Sequence, residues 1–386
     1  MGDTTACRTR IAAGTGAGDS PPWVVLFSAT PWQGGAHRQH ALARQLAADH
    51  LVLFVDPPGQ LPHWRTTVRP VERNVWHAVP PAAVPLGRHL PPGNELNRRV
   101  IVVSLRRWLD LRAATVRLLW LDEDAAAPCA GRVPAAASVY DATDLDWTFT
   151  RWWNRWHLRR NLARALAAAD LVLASSAALP ERMPAVGPAP VVLPNGCDPE
   201  HFSPDGPTAP ELTGMSRPLI GYCGAIDTRA FDGELLAAVA RARPGWTFLL
   251  AGPSTRAGRS SLRGLANVVL TGPVPYARVP ALLRACDVTV VPYRTGALVD
   301  YVHPKKCYEY LALGKPVVAT PLPALHALTG VVRLAAGPRA FAQAIEAALD
   351  TARLPTQVAR RRAVAADNSW AVRGRQLREL LDGLPR

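Results

Sequence analysis

Residues 300–320 read DYVHPKKCYEYLALGKPVVAT, a loop, a helix and a buried strand in direct succession. The helix starts just after His303-Pro304, because proline is tolerated in a first turn and its fixed φ suits helix entry. Gly314 ends it, and the apolar run from Pro316 to Ala319 forms the strand. Lys305 and Lys306 then sit near the amino end of the helix, where free N–H groups and the helix dipole favour an anion. Cations are poorly placed there unless an anion joins them. A pair of solvated lysines is the plain alternative.

Upstream of this block the same alternation recurs. LIGYC at 219–223 is a strand, Gly224 opens a loop, and Glu234 to Arg241 is a helix. Strands follow at 248–251, 268–270 and 288–291, with helices at 279–285 and 307–313. Before them, Pro194-Asn195-Gly196 leaves one sheet, and 203–218 is rich in proline and glycine, a linker by composition. The pattern also fills the first half. WVVLFS at 23–28 is a strand, the loop TPWQGGAHRQH leads into a helix near Ala41 to Leu46, and LVLFV at 51–55 is the next strand. Strand, loop, helix and strand within about 30 residues make a βαβ unit, whose crossover demands a parallel sheet. Gly34-Gly35 either admits a ligand to the backbone at the strand's carboxyl end or simply makes the turn. From Pro57 to Asn97, proline pairs at 57, 80 and 91 break any long helix, which leaves loops around one strand at 75–79. Helix and strand resume at 101–111 and 118–121. Two α/β domains with parallel sheets, joined by a hinge, place a cleft between them.

The 386 residues suffice for two domains with substantial cores. Apolar residues make up 48% and charged residues 19%, a globular composition. No apolar run reaches the roughly 18 residues of a membrane span. The first twenty residues lack the basic start and apolar centre of a secretory signal, so they read as a flexible tail on a cytoplasmic protein. Six cysteines are scattered without a C-x-x-C pair or a histidine at metal spacing, which points to reduced, mostly buried thiols and no zinc site. Of the net charge of +14, residues 1–200 hold +4 (21 basic, 17 acidic) and residues 201–386 hold +10 (23 basic, 13 acidic). An acidic ligand such as a nucleoside diphosphate, or an anionic membrane surface, suits that basic half. Nucleic acid does not, since zinc-finger spacing, an RRM signature and a dense basic arm are all missing.

SVYDATDLD at 138–146 is a strand running into three carboxylates. Open α/β sheets place ligand chemistry at such a strand end. Asp141, Asp144 and Asp146 lie close enough in sequence to raise one another's pKa, which suits a base or a shared proton. A helix N-cap is the alternative. In the helix that follows, Trp147, Trp152, Trp153 and Trp156 alternate with Arg151, Arg155, Arg159 and Arg160. Such a helix either meets a membrane interface or an acceptor, or packs its tryptophans inward with arginines snorkelling out.

Taken together, GGAHRQHALARQLA, AADLVLASSAAL, PNGCDPEHFSP, GYCGAIDTRAFDGELL, ACDVTVVPY and PKKCYEYLALGKPVVAT resemble, in that order, the nucleotide-sugar glycosyltransferases of the two-Rossmann GT-B fold. The likeness is to the large retaining family 4, also called group 1, and to related bacterial polysaccharide transferases, including the teichuronic-acid type. The tail NSWAVRGRQLRELL is similar to that family's last helix, which crosses back to the first domain. The resemblance implies a tail at 1–20, an acceptor-binding Rossmann-like domain at 21–200, a linker at 201–216, a nucleotide-sugar-binding domain at 217–368 and a crossover helix at 369–386.

It also implies roles. Lys306, in P-x-K-x-x-E spacing, matches the lysine on the donor diphosphate, and Glu309 the glutamate on the ribose hydroxyls. Lys305 stands beside them. Gly224 matches the glycine that admits the phosphates, with Arg229 as a second cation; Gly272 and Val274 belong to the loop beside the base, and Tyr293 to the following strand end. Gly34, Gly35, Arg38, Trp152 and Trp156 fall on the acceptor side. The family usually carries two glutamates eight residues apart, and here Tyr301 occupies the first position. Asp300 or His303 would then hold the sugar, and an inverting outcome with a first-domain base becomes open. Asp144, with Asp141 beside it, is the candidate for that base. The implied reaction moves a sugar from a nucleotide donor to an acceptor hydroxyl without cofactor or metal, the lysine and helix N–H groups stabilising the leaving diphosphate. The implied acceptor is a glycan, lipid-linked or not, or a small molecule. A nucleotide-sugar epimerase of the same double fold and a non-catalytic nucleotide- or glycan-binding protein are the alternatives.

Overall fold

A computed structural model describes residues 21–33, 35–87, 90–143, 152–296 and 299–385, with the backbone alone at 152–153. In chain order the first half comprises β1 (Trp23–Phe27), α1 (Arg38–Leu46), β2 (Leu51–Val55), β3 (Thr67–Glu72), β4 (Val75–Val79), α2 (Pro91–Asp110), β5 (Val116–Leu121), β6 (Ala137–Ala142), α3 (Trp152–Ala168), β7 (Leu171–Ala174) and β8 (Val191–Val192). The second half comprises β9 (Leu219–Cys223), α4 (Gly233–Ala242), β10 (Thr247–Ala251), β11 (Val268–Gly272), α5 (Val279–Ala285), β12 (Val288–Val291), α6 (Lys306–Ala312), β13 (Val317–Ala319), β14 (Val332–Leu334), α7 (Pro338–Asp350), α8 (Pro355–Asp367) and α9 (Trp370–Asp382).

Two sheets result. The first runs β3-β4-β2-β1-β5-β6-β7-β8, parallel except for the β3–β4 hairpin. The second runs β11-β10-β9-β12-β13-β14 and is parallel throughout. Apolar strands buried on both faces demand helices on either side, and helices supply them. Both sheets reverse direction at their centre, between β1 and β5 in the first and between β9 and β12 in the second. Loops leaving the carboxyl ends of such a strand pair diverge, and the crevice between them is where doubly wound sheets bind ligands.

Two expectations fail in the first half. Pro91-Pro92 does not break a helix; it opens the twenty-residue α2, occupying first-turn positions whose N–H groups have no helical acceptor anyway. The segment before β4 is not all loop, because β3 pairs with it antiparallel as a surface strand whose residues are exposed or half-buried.

Trp370, Leu377 and Leu381 of α9 join Val24, Leu26, Leu42 and Trp120 in one core, so the last helix crosses back onto the first sheet. Gly374 permits this approach, since a Cβ there would lie 2.3 Å from Gln45 Oε1 of α1. At the hinge the Trp370 amide donates to the Cys197 carbonyl at 2.8 Å. Among the described residues Cys129, Cys197, Cys223, Cys286 and Cys307 are free thiols, all buried except the half-buried Cys223. No described helix is long and apolar enough to cross a membrane.

Candidate functional site

The central crevice of the second sheet brings together residues from β9, β12 and α6. Lys306 lies with its ammonium over the rings of Tyr222 and Tyr293, 4.8 and 4.7 Å from their centroids. It donates hydrogen bonds to both phenolic oxygens. Among the described residues no carboxylate pairs with it, so the site holds a cation without a counter-anion. Gly224, at the end of β9, has φ +155°, and a Cβ there would stand 2.6 Å from Lys306 Nζ. Only glycine leaves that approach open. Tyr293 follows β12 and Gly224 follows β9, so the two straddle the reversal point.

Lys305 behaves differently from its neighbour. Its ammonium donates to Glu309 Oε1 and to the Ala36 carbonyl of the first domain, both at 2.7 Å. Glu309 is buried and already paired within α6, while Lys305 ties the second domain to the loop that follows β1. The anion needed near the start of α6 is therefore supplied for Lys305 by the protein itself and for Lys306 by nothing in the described chain.

The peripheral donor-side residues divide. Gly272 ends β11 with φ +73°, and its carbonyl accepts the Gly252 amide at 2.8 Å. Val274 packs against the domain core. Arg229 is exposed, in a loop where its amide donates to Asp227.

Tyr301 is the informative departure. Its side chain is fully buried and belongs to the core of the first domain, with Val25, Phe27, Tyr140 and Val172. Ser176 donates to its carbonyl at 2.5 Å. The position that the resemblance gives to a sugar-binding glutamate is thus a bolt between domains. The Asp300 carboxylate accepts the Gly296 amide of its own loop. His303 does face a cavity between the domains, with its ring stacked on Tyr308 and its carbonyl accepting from Asn195 at 2.8 Å. Burial first, then the charges of Arg38 and Arg373, lower its pKa to about 4, so the ring is neutral near neutral pH.

On the first-domain side Arg38 grips Asp141. Nε lies 3.1 and 2.9 Å from the two carboxylate oxygens and Nη2 2.9 Å from Oδ1, and both side chains are buried. Arg38 Nη1 also donates to the Leu193 carbonyl at 2.8 Å and to Asn195 Oδ1. A continuous chain therefore runs from Asp141 through Arg38 and Asn195 to His303. The guanidinium from α1 holds Asp141 as a buried ion pair, which suits a positioning role rather than a base. Asp144, Asp146 and Gly34 lie outside the described residues. Gly35 is required by His40, whose ring a Cβ would approach to 2.2 Å. Trp156 is exposed on α3 with Arg160 5.5 Å over its ring, whereas Leu158, Leu162, Ala165 and Leu166 carry the buried face. The side chains of Trp152 and Trp153 lie outside the described residues.

Between the domains lies a cavity of about 350 Å³, lined by Thr30, Gln39, Asp122, Tyr140, Asn195 and His303 among others. Asp122, directly after β5, was not singled out in the sequence. Burial, reinforced by the Asp141 charge, pushes its carboxyl well above the usual carboxylate range. The signal was present, since WLDED at 120–124 is an apolar strand ending in carboxylates, as SVYD is.

Comparison with known proteins agrees with this geometry. Residues 217–351 match the family model described as Glycosyl transferases group 1. A stretch of 134 residues is 36% identical to the putative teichuronic acid biosynthesis glycosyltransferase TuaH of Bacillus subtilis (strain 168), covering 33% of this chain and 34% of that protein. The chain thus spans about a third of the curated relative it matches. Among solved structures, the sucrose-phosphate synthase of Thermosynechococcus elongatus superposes with a TM-score of 0.73 at 18% identity, over 94% of this chain and 98% of that one. HepE of Anabaena, in complex with UDP and glucose, superposes with a TM-score of 0.64 at 18% identity, over 94% and 99%. At such identities the likeness is one of fold, the two-sheet GT-B arrangement.

Proposed function

We propose that this chain is a glycosyltransferase that moves a sugar from a nucleoside diphosphate donor to an acceptor hydroxyl, in the assembly of a glycan or related product. The observation that carries the reading is the half-buried Lys306 ammonium, which lies beside Gly224 at the reversal point of the second sheet, held by two phenols and, among the described residues, by no carboxylate. A leaving diphosphate supplies the missing anion, and a preorganised cation stabilises the charge as it develops. The group 1 family match over 217–351 supports the same half as the donor domain. Glu309, presented by Lys305, takes the ribose hydroxyls, and Tyr293 and Gly272 border the nucleotide.

The acceptor then enters from the first domain, through the cavity between Thr30, Gln39 and His303. In this reading it is a lipid-linked glycan, and the exposed Trp156 with its overlying Arg160 rests on an anionic membrane surface.

The decisive experiment screens binding and turnover with UDP-glucose, UDP-galactose, UDP-N-acetylglucosamine, GDP-mannose and dTDP-rhamnose, offering alkyl glycosides and water as acceptors. Release of nucleoside diphosphate, abolished by Lys306→Ala, is the expected result. Absence of both hydrolysis and transfer across the panel, with nucleotide binding indifferent to Lys306→Ala, sinks the reading. Salt-sensitive binding to vesicles containing phosphatidylglycerol, weakened by Trp156→Ala, tests the membrane contact; indifference to vesicles removes it.

A further inference from the structure

Three tyrosine hydroxyls gather at the end of β9 and beside Lys306, and their protons are engaged differently. Tyr310 of α6 accepts the Cys223 amide at 2.8 Å and donates to the Cys223 carbonyl at 3.3 Å. Tyr222 accepts from Lys306 at 3.4 Å and donates to the Ala225 carbonyl at 2.9 Å. Tyr293 accepts from Lys306 in the shorter of the two contacts, and its own proton has no acceptor among the described residues. A phenol has one proton to give. A hydroxyl that accepts from a cation directs that proton away from it and becomes the stronger donor. Tyr293 is also 8% exposed, against 1% for Tyr222 and 0% for Tyr310, so it is the one of the three that a ligand reaches.

The backbone around Tyr293 is fixed. Its amide donates to Thr320 Oγ1 at 3.2 Å, the Arg294 amide donates to the Ala230 carbonyl at 2.7 Å, and the Asp232 amide donates to the Pro292 carbonyl at 2.8 Å. These bonds stitch the loop after β9 to the loop after β12 across the reversal point of the second sheet. A donor held in this way does not have to reorganise when negative charge develops beside it.

We propose that the Tyr293 hydroxyl donates a hydrogen bond to the diphosphate of the sugar donor, an assignment that rests on the transferase reading above and adds a neutral donor to the Lys306 cation. When the bond from the anomeric carbon to the diphosphate oxygen breaks, its electron pair stays on that oxygen. The added charge is shared between the Lys306 ammonium and the Tyr293 hydroxyl, and neither gives up its proton. The two phenols that hold Lys306 thereby divide. Tyr222, its proton held by Ala225, positions the ammonium, whereas Tyr293 positions it and touches the phosphate.

The test titrates wild type, Tyr293→Phe, Tyr222→Phe, Lys306→Ala and the two combinations of Lys306→Ala with a phenylalanine change. The ligands are the nucleoside diphosphate of the donor selected by the panel above and the matching nucleoside, up to millimolar concentrations. Urea unfolding of each variant is recorded, and affinities are compared where all are folded. Tyr293→Phe keeps the ring and is expected to weaken diphosphate binding about tenfold or more while nucleoside binding stays within about twofold, since a hydrogen bond to a charged group is lost. The loss should persist in the Lys306→Ala background, because the contact to phosphate is the hydroxyl's own. Tyr222→Phe should cost less than Tyr293→Phe and add nothing once Lys306 is gone. Diphosphate affinity of Tyr293→Phe within about threefold of wild type, an equal loss for the nucleoside, or no further loss in the Lys306→Ala background overturns the assignment and leaves the transferase reading standing. If wild type binds no nucleoside diphosphate, both fall.

Discussion

The Arg38 guanidinium meets the Asp141 carboxylate side-on, with Nε 2.9 Å from Oδ2 and Nη2 2.9 Å from Oδ1, and both groups are buried. One belongs to α1 and the other ends β6, so the pair locks a helix to the sheet where the hinge begins. Removing one partner of a buried ion pair leaves an uncompensated charge and costs about 3–5 kcal/mol. Arg38→Ala should lose about that much in urea unfolding, and replacing both residues by apolar ones of similar volume should restore most of it. A loss below about 1 kcal/mol for Arg38→Ala would show that water reaches the site.

Gly224 and Lys306 should fail together. A methyl group at 224 intrudes on the lysine ammonium, so Gly224→Ala is expected to weaken nucleoside diphosphate binding nearly as much as Lys306→Ala, by about a hundredfold or more, since charge-assisted contacts are worth about 1.5–3 kcal/mol each. Isothermal titration on the two variants checks this; full affinity in Gly224→Ala would separate the glycine from the site.

Tyr301 marks the bolt between the domains. Truncation to alanine empties a fully buried aromatic site, which typically costs about 3–5 kcal/mol. Tyr301→Glu should be at least as damaging and should not improve sugar binding, because it places a carboxylate in the first-domain core rather than at the donor. A folded Tyr301→Glu with tighter donor binding would contradict the placement.

His40 and His303 each have a folded pKa lowered to about 4 by burial, against about 6.5 in an unfolded chain. The unfolded state therefore binds more protons between these values. Stability is complete above about pH 6.5 and falls as pH drops toward 4, with a limiting slope of about 1.4 kcal/mol per pH unit for each histidine. Chemical unfolding at pH 7, 6 and 5 should show this decline. His40→Gln, which retains a donor for the Pro31 carbonyl, should flatten it in part, because burial lowers His37, His50 and His157 as well, and an unchanged slope would place the acid sensitivity elsewhere.

Most of the architecture follows from local sequence. Runs such as LVLFV, LIGYC and VTVV bury both faces of a strand, glycine and proline punctuate the helices, and the repeat of this grammar on either side of a proline-rich hinge forces two parallel sheets. The resemblance singled out Lys306 and Glu309 in P-x-K-x-x-E spacing, and both lie on α6. Local signals misjudged Pro91-Pro92, because the same residue opens a helix or ends one according to which amides already have acceptors. What tertiary structure alone decided is which charge is spent. Asp141 and Asp122 lie at strand ends, yet Arg38 neutralises the first from a helix 103 positions away while the second has a buried oxygen without a hydrogen-bond partner among the described residues. Lys305 and Lys306 are neighbours in sequence, yet one reaches a glutamate and the other domain, and the other meets two phenols and, among the described residues, no carboxylate. Side-chain pairing depends on distances between segments remote in the chain, which periodicity and composition do not encode.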